Sequence, residues 1–195
     1  MVKTTAILEQ ELSRYSNPQG KIARLVRDGE LVPLVRGLYE DDRNASGVCL
    51  AGSICGPSYL SFEYALSRHG LIPEGVTAFT SATCGKRKTK RFSNAFGAFE
   101  YRDVPGAVFG LGVELWSDAA CAYWMAGPEK ALCDQLYKLP PVSNQAEIEE
   151  MLLGYLRIDE AEFSRFQLAE VERIAQRYHC GNVTLFSKWL NRRIR

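Results

Sequence analysis

The chain is poor in the residues that build catalytic and metal centres. Only two histidines occur in 195 residues, His69 and His179. None of the six cysteines, at positions 49, 55, 84, 121, 133 and 180, forms a CxxC pair or a tight Cys/His group of the structural-zinc type. There is no Walker loop, no Rossmann glycine fingerprint and no Gly-x-Ser-x-Gly elbow. No apolar run reaches the roughly 18 residues that a bilayer span needs. The first dozen residues, interrupted by Glu9 and Glu11, lack the apolar stretch of a secretory signal. These absences lead to the expectation of a non-enzymatic cytoplasmic protein with reduced, free thiols and with no metal, no cofactor and no membrane contact.

A field of one sign is also missing. With 24 Lys and Arg against 23 Asp and Glu, the formal net charge is +1. The charge is nonetheless uneven along the chain. Lys86, Arg87, Lys88, Lys90 and Arg91 are clustered, the segment from Glu147 to Glu172 is acidic, and Arg192, Arg193 and Arg195 make the end basic. A near-zero total therefore leaves local nucleic-acid contact open without arguing for it.

The richest stretch is Lys21–Tyr39. Ile22, Leu25 and Val26 fall at i, i+3 and i+4 and predict one apolar helix stripe, which leaves Lys21, Arg24 and Arg27 on the opposite flank. Gly29 suits a left-handed helix stop, and Arg36-Gly37 suits the tight turn of a two-strand ribbon over about 30–40, with Pro33 marking an edge strand. Helix, stop and ribbon outline a winged helix, in which the helix enters a major groove and the ribbon tip meets the backbone. Arg24 and Arg27, one turn apart, are the expected base or phosphate contacts, and Lys21 and Arg36 the expected phosphate contacts. The competing reading is an ordinary solvated helix face.

Upstream, residues 3–14 suit a helix capped by Thr4 or Thr5, and Pro18 can open the next one. Asp41–Ser46 is the best boundary, and a module of about 40 residues needs bracing by the rest of the chain. Beyond it, Ser58 is expected to cap a helix that Gly70 and Pro73 stop. Val76–Thr83 reads as a strand, and Lys86–Arg91 as a loop. The runs 95–101 and 107–115 suggest an antiparallel sheet, with a further strand in 116–125. Pro128 should open a helix through Leu139, and 145–193 reads as helical, with Ile148, Met151, Leu152, Tyr155, Val171, Ile174, Ala175 and Tyr178 as core.

Other side chains admit bland roles. The Lys86–Arg91 cluster is a charged loop, a second phosphate contact or a site for an acidic partner. Arg192, Arg193 and Arg195 suit a solvated terminus. His69 suits a helix C-terminus, Glu129 a helix N-terminus, and His179 and Cys180, being adjacent, do not face each other as a dyad. A small hydrolase or nuclease using His69 or a cysteine is a further alternative.

Four ordered segments carry a likeness: Gly56–Glu74 (GPSYLSFEYALSRHGLIPE), Phe79–Thr83 (FTSAT), Phe96–Tyr101 (FGAFEY) and Ala126–Asp134 (AGPEKALCD), with Arg36–Tyr39 (RGLY) before them. Together they resemble the AbiEi family, the antitoxin and transcriptional-regulator components of type IV abortive-infection toxin–antitoxin systems, over most of 20–195. The resemblance implies a winged-helix part that represses its own promoter and a C-terminal antitoxin domain opposing a nucleotidyltransferase-like toxin. About two helices fit before Gly29, fewer than that family usually places there. The fold expected is α+β: an abbreviated winged helix over 1–42, packed on a mixed α+β antitoxin-like domain over 46–195 whose last third is helical. Double-stranded DNA and a toxin are the expected partners. The alternative is a protein-interaction module or orphan regulator that has lost DNA binding.

Overall fold

The structure, a computed structural model, describes residues 1–118 and 121–194. It begins with strand β1 (Val2–Thr4) and helix α1 (Thr5–Glu11). Thr4 caps α1, as expected, by accepting the Ile7 N–H at 3.3 Å, but Lys3, expected within the helix, is extended in β1, and α1 stops at Glu11 short of the expected residue 14. Helix α2 (Pro18–Arg27) is capped by Asn17, which accepts the Gly20 N–H at 2.9 Å, and Pro18 occupies a first-turn position where its missing N–H costs nothing. The chain leaves α2 through Gly29 at φ 70°. Arg43 reaches back from the connector to donate to the Asp28 and Gly29 carbonyls, and so satisfies acceptors left open at the helix end.

The ribbon follows as β2 (Val32–Val35) and β3 (Leu38–Glu40), turning at Arg36-Gly37 with Gly37 at φ 82°. The three strands lie in the order β1-β3-β2 and are antiparallel. Pro33 is thus on an edge strand, where its missing donor breaks no ladder. Leu8, Ile22 and Leu31 form a small core with Leu12, Leu25, Val26 and Tyr39 around it.

After Ser46 comes α3 (Gly47–Ile54), then β4 (Ser58–Leu60), α4 (Phe62–Arg68), β5 (Phe79–Thr83), β6 (Lys90–Asn94), β7 (Gly97–Asp103), β8 (Val113–Ser117) and β9 (Ala122–Ala126). The six strands run in the order β6-β7-β5-β4-β9-β8. The expected antiparallel sheet is in fact mixed, because β5 pairs with β7 and β4 with β9 in parallel. Ser58 caps no helix. It pairs with Thr83 in the sheet, and the helix starts three residues later behind Ser61. Lys90 and Arg91 likewise belong to a strand, with only Lys86–Lys88 in the preceding loop.

Helix α5 (Pro128–Lys138) leads into α6 (Gln145–Glu149), a wide π-type turn at Glu150–Tyr155, a 3-10 segment at Glu160–Arg165, α7 (Leu168–Tyr178) and α8 (Gly181–Ile194). Strand alternation sorts these helices onto faces. Tyr59 and its partner Ala82 point toward α5, whereas Tyr101, paired with Ser81 on the opposite face, donates its hydroxyl to the Ala51 carbonyl of α3 at 2.7 Å. Ile148, Leu152, Val171, Ile174 and Tyr178 are buried as expected, but Tyr155 is 68% exposed, because it closes the π-type turn where the helical stripe loses its 3.6-residue phase.

Two of the six thiols are not free: Cys49 of α3 and Cys121, just before β9, form a disulfide with their Cα atoms 5.9 Å apart. Cys55, Cys84, Cys133 and Cys180 remain thiols. Among the described residues no helix is long and apolar enough to cross a membrane.

Candidate functional site

The basic face of α2 survives folding. Ile22 is buried and Leu25 and Val26 are half-buried, which rotates Arg24 and Arg27 outward into solvent. Arg27 bends toward its neighbour Asp28, at 3.1 Å, an exposed pair worth little in water. Lys21 is half-buried, and its ammonium lies 5.8 Å from the centre of the Tyr15 ring. Arg14 approaches the same ring at 5.3 Å. Folding therefore adds Arg14 to the basic set. The sequence sets it at the end of the helix expected over 3–14, but α1 stops at Glu11 and leaves it in the connector.

Arg36 is exposed at the ribbon turn. The turn itself is fixed to α1, where the Gly37 carbonyl accepts the Thr5 N–H at 3.0 Å. An open cleft of about 510 Å³ separates α2 from the ribbon, lined by Gln19, Ala23 and Val26 on one side and Pro33 and Tyr39 on the other.

The second basic cluster lies elsewhere. Asn94, at the far end of β6, donates to the Leu34 carbonyl of β2 at 3.0 Å. Lys90 is at the other end of β6, roughly 13 Å away along an extended strand, and Lys86–Lys88 precede it. Arg91 is bound to Glu100 at 2.7 Å, and the Arg87 backbone N–H donates to Asp103 at 2.7 Å. The two basic clusters are thus not merged into one surface. Arg192 and Arg193 end α8, where Arg193 pairs with Glu149 at 2.9 Å, and Arg195 lies outside the described residues.

Behind the sheet is a charged centre that the motif Ala126–Asp134 carries. Pro128 starts α5, and the i, i+4 spacing brings Lys130 within 2.5 Å of Asp134, both fully buried. The same carboxylate accepts from Ser61 Oγ at 2.7 Å, Tyr178 OH at 2.6 Å and Tyr59 OH at 3.0 Å. The Lys130 ammonium sits 4.9 Å from the centre of the Tyr178 ring and 5.6 Å from that of Tyr59. Burial, and then the Asp134 charge, hold both phenols protonated far above their ordinary range. Asp134 therefore joins β4, the start of α4, α5 and α7 at one point sealed from water. Ser61, the residue just before α4, serves this centre as well, and Tyr59 reaches it from β4.

Glu129 is buried and accepts the Gln167 N–H at 2.8 Å, so it fixes the entry to α7 in addition to facing its own helix N-terminus. His69 ends α4, its Nε2 2.8 Å from the Ala126 carbonyl and its ring edge-on to Trp116. His179 takes the left-handed position that ends α7. Burial pushes the Cys133 thiol up, away from the nucleophilic thiolate. Among the described residues, one group has metal-ligand proximity: Cys49, Asp118 and Cys121. Its two sulfurs are bonded to each other, which leaves no thiolate for an ion.

Neither models of known protein families nor curated protein sequences give a match to this chain.

Proposed function

We propose that the chain is a cytoplasmic DNA-binding autorepressor and antitoxin of the AbiEi kind, opposing a nucleotidyltransferase-like toxin. The observation that carries the DNA half is the N-terminal unit. Strand, helix, helix and ribbon follow in order, the sheet runs β1-β3-β2, and the second helix turns Arg24 and Arg27 outward. This order supports the reading of an abbreviated winged helix, in which α2 would enter the major groove and Arg36 meet the flanking backbone.

The exposed arginines also have room to work. The module is held to the larger domain through β2, by the Asn94–Leu34 hydrogen bond and by Leu34 in the main core, while α2 packs mainly on α1. Bracing through the ribbon's edge leaves the outer face of α2 open. Arg14 and Lys21, gathered on Tyr15, extend that face with phosphate-binding charge.

The antitoxin half rests on the likeness of Gly56–Glu74, Phe79–Thr83, Phe96–Tyr101 and Ala126–Asp134 to that family. The buried Asp134 centre gives the last of these segments a physical role, the joining of sheet to helices. Fluorescence anisotropy with the chain's own upstream DNA tests repression. Co-expression with a nucleotidyltransferase-like neighbour tests antitoxicity, and growth arrest unrelieved by this chain would count against it.

A further inference from the structure

The two edges of the six-stranded sheet differ. The β6 edge is met by β2 through Asn94 and Leu34, whereas no strand lies beyond β8, which packs chiefly on β9. A bare edge is a template for another strand, and folded proteins commonly blunt it with proline, lysine or a bulge. β8, with the sequence Val-Glu-Leu-Trp-Ser, has none of these, and its register with β9 runs unbroken from Val113 to Ser117.

That register fixes which backbone groups face outward. At one end of the ladder the Gly127 N–H donates to the Gly112 carbonyl at 2.8 Å, and at the other the Asp118 N–H donates to the Cys121 carbonyl at 3.0 Å. Hydrogen-bonded and non-bonded positions alternate in an antiparallel pair, so Glu114 and Trp116 direct their N–H and C=O groups to β9. Those of Val113, Leu115 and Ser117 point off the sheet. The side chains mark the same place. Leu115 and Trp124 stand opposite each other on one face, 60% and 54% exposed.

We propose that β8 pairs antiparallel with β8 of a second copy of this chain, about a two-fold axis at Leu115, which makes the two six-stranded sheets continuous. In this register the outward groups are self-complementary. Leu115 exchanges both hydrogen bonds with its counterpart, and Val113 does so with the partner's Ser117 on either side of the axis. Leu115 and Trp124 of both copies then form one apolar row across the seam. Charge selects the same register. Glu114, the one charged residue of the strand, faces the partner's Trp116, whereas an axis at Glu114 would set two carboxylates opposite each other. An axis at Trp116 would leave Val113 without a partner in the strand. A strand from another protein would have to match both the hydrogen-bond phase and the apolar pair, which a second copy does by symmetry.

The test is sedimentation equilibrium of the full chain from about 1 to about 300 μM, together with amide exchange read residue by residue. A monomer–dimer equilibrium is expected, with the Val113, Leu115 and Ser117 amides becoming protected as concentration rises. Leu115→Lys sets two ammoniums opposite each other at the axis and interrupts the apolar row, and should weaken the dimer by about tenfold or more. Leu115 is exposed, so the variant should keep the parent's unfolding midpoint. A chain that stays monomeric across the range would overturn the proposal and leave the edge to a strand of another protein. So would a dimer in which these three amides gain no protection, or one that a folded Leu115→Lys variant forms equally well. None of these readouts involves DNA, so failure here and failure of the repressor reading are distinct.

Discussion

Asn94 and Leu34 join two sheets that share no ladder. The Asn94 side-chain amide, at the end of one edge strand, donates to the Leu34 carbonyl in the edge strand of the other at 3.0 Å. The same side chain accepts the Phe96 N–H at 2.9 Å, so it also shapes the β6–β7 turn. Each sheet thereby shields an edge of the other, β2 against β6, from pairing with a foreign strand.

Asn94→Asp separates these roles. The carboxylate keeps the acceptor for Phe96 but sets an oxygen against the Leu34 carbonyl. We expect a loss of about 1–3 kcal/mol in urea denaturation, with faster amide exchange confined to β2 and β3. Uniformly faster exchange across the chain would contradict a local brace.

Asp134→Ala is expected to cost about 3–5 kcal/mol, because it strands the Lys130 ammonium and three hydroxyls in a dry centre. Thermal unfolding measures this. A loss below about 1 kcal/mol would mean that the pair behaves like a surface ion pair and does not hold sheet to helices.

The Cys49–Cys121 bond spans 72 residues. Closing a loop of that length removes roughly 4 kcal/mol of unfolded-chain entropy. Cys49→Ser should therefore lower stability by up to about 4 kcal/mol, and reductant should bring the parent chain down to the same level. Alkylation of the denatured, unreduced chain should label four cysteines, 55, 84, 133 and 180. Labelling of all six would remove the bond.

Local rules carry the sequence far wherever an element is defined by its own residues. Pro18, the Ile22 stripe, Gly29 and the Arg36-Gly37 turn specify α2 and the ribbon within a short window, and Pro128 likewise opens α5. Elements defined by partners are not legible in this way. Val2–Thr4 is a strand only because β3 lies beside it. Ser58–Leu60 looks like a helix start until Thr83, Ser81 and Met125 pair with it. The Asp134 centre draws Tyr59, Ser61 and Tyr178 from distant elements, and no spacing rule connects them. The disulfide is invisible for the same reason, since its cysteines carry no motif and meet only through the approach of α3 to the strand that ends the β8–β9 hairpin. Arg14 joins the basic face through a ring contact rather than through a period.

The central claim is that α2 presents Arg24 and Arg27 to DNA while the larger domain holds the ribbon. The most direct measurement is anisotropy with the chain's own upstream DNA across a salt series, for the parent and for Arg24→Ala with Arg27→Ala. If about four phosphates are neutralised, the parent should show a log–log salt slope of about −3.6. The double variant should lose selective binding with its stability within about 0.5 kcal/mol of the parent, since both side chains are exposed. Salt-insensitive binding by the parent, or undiminished binding by the variant, would contradict the account.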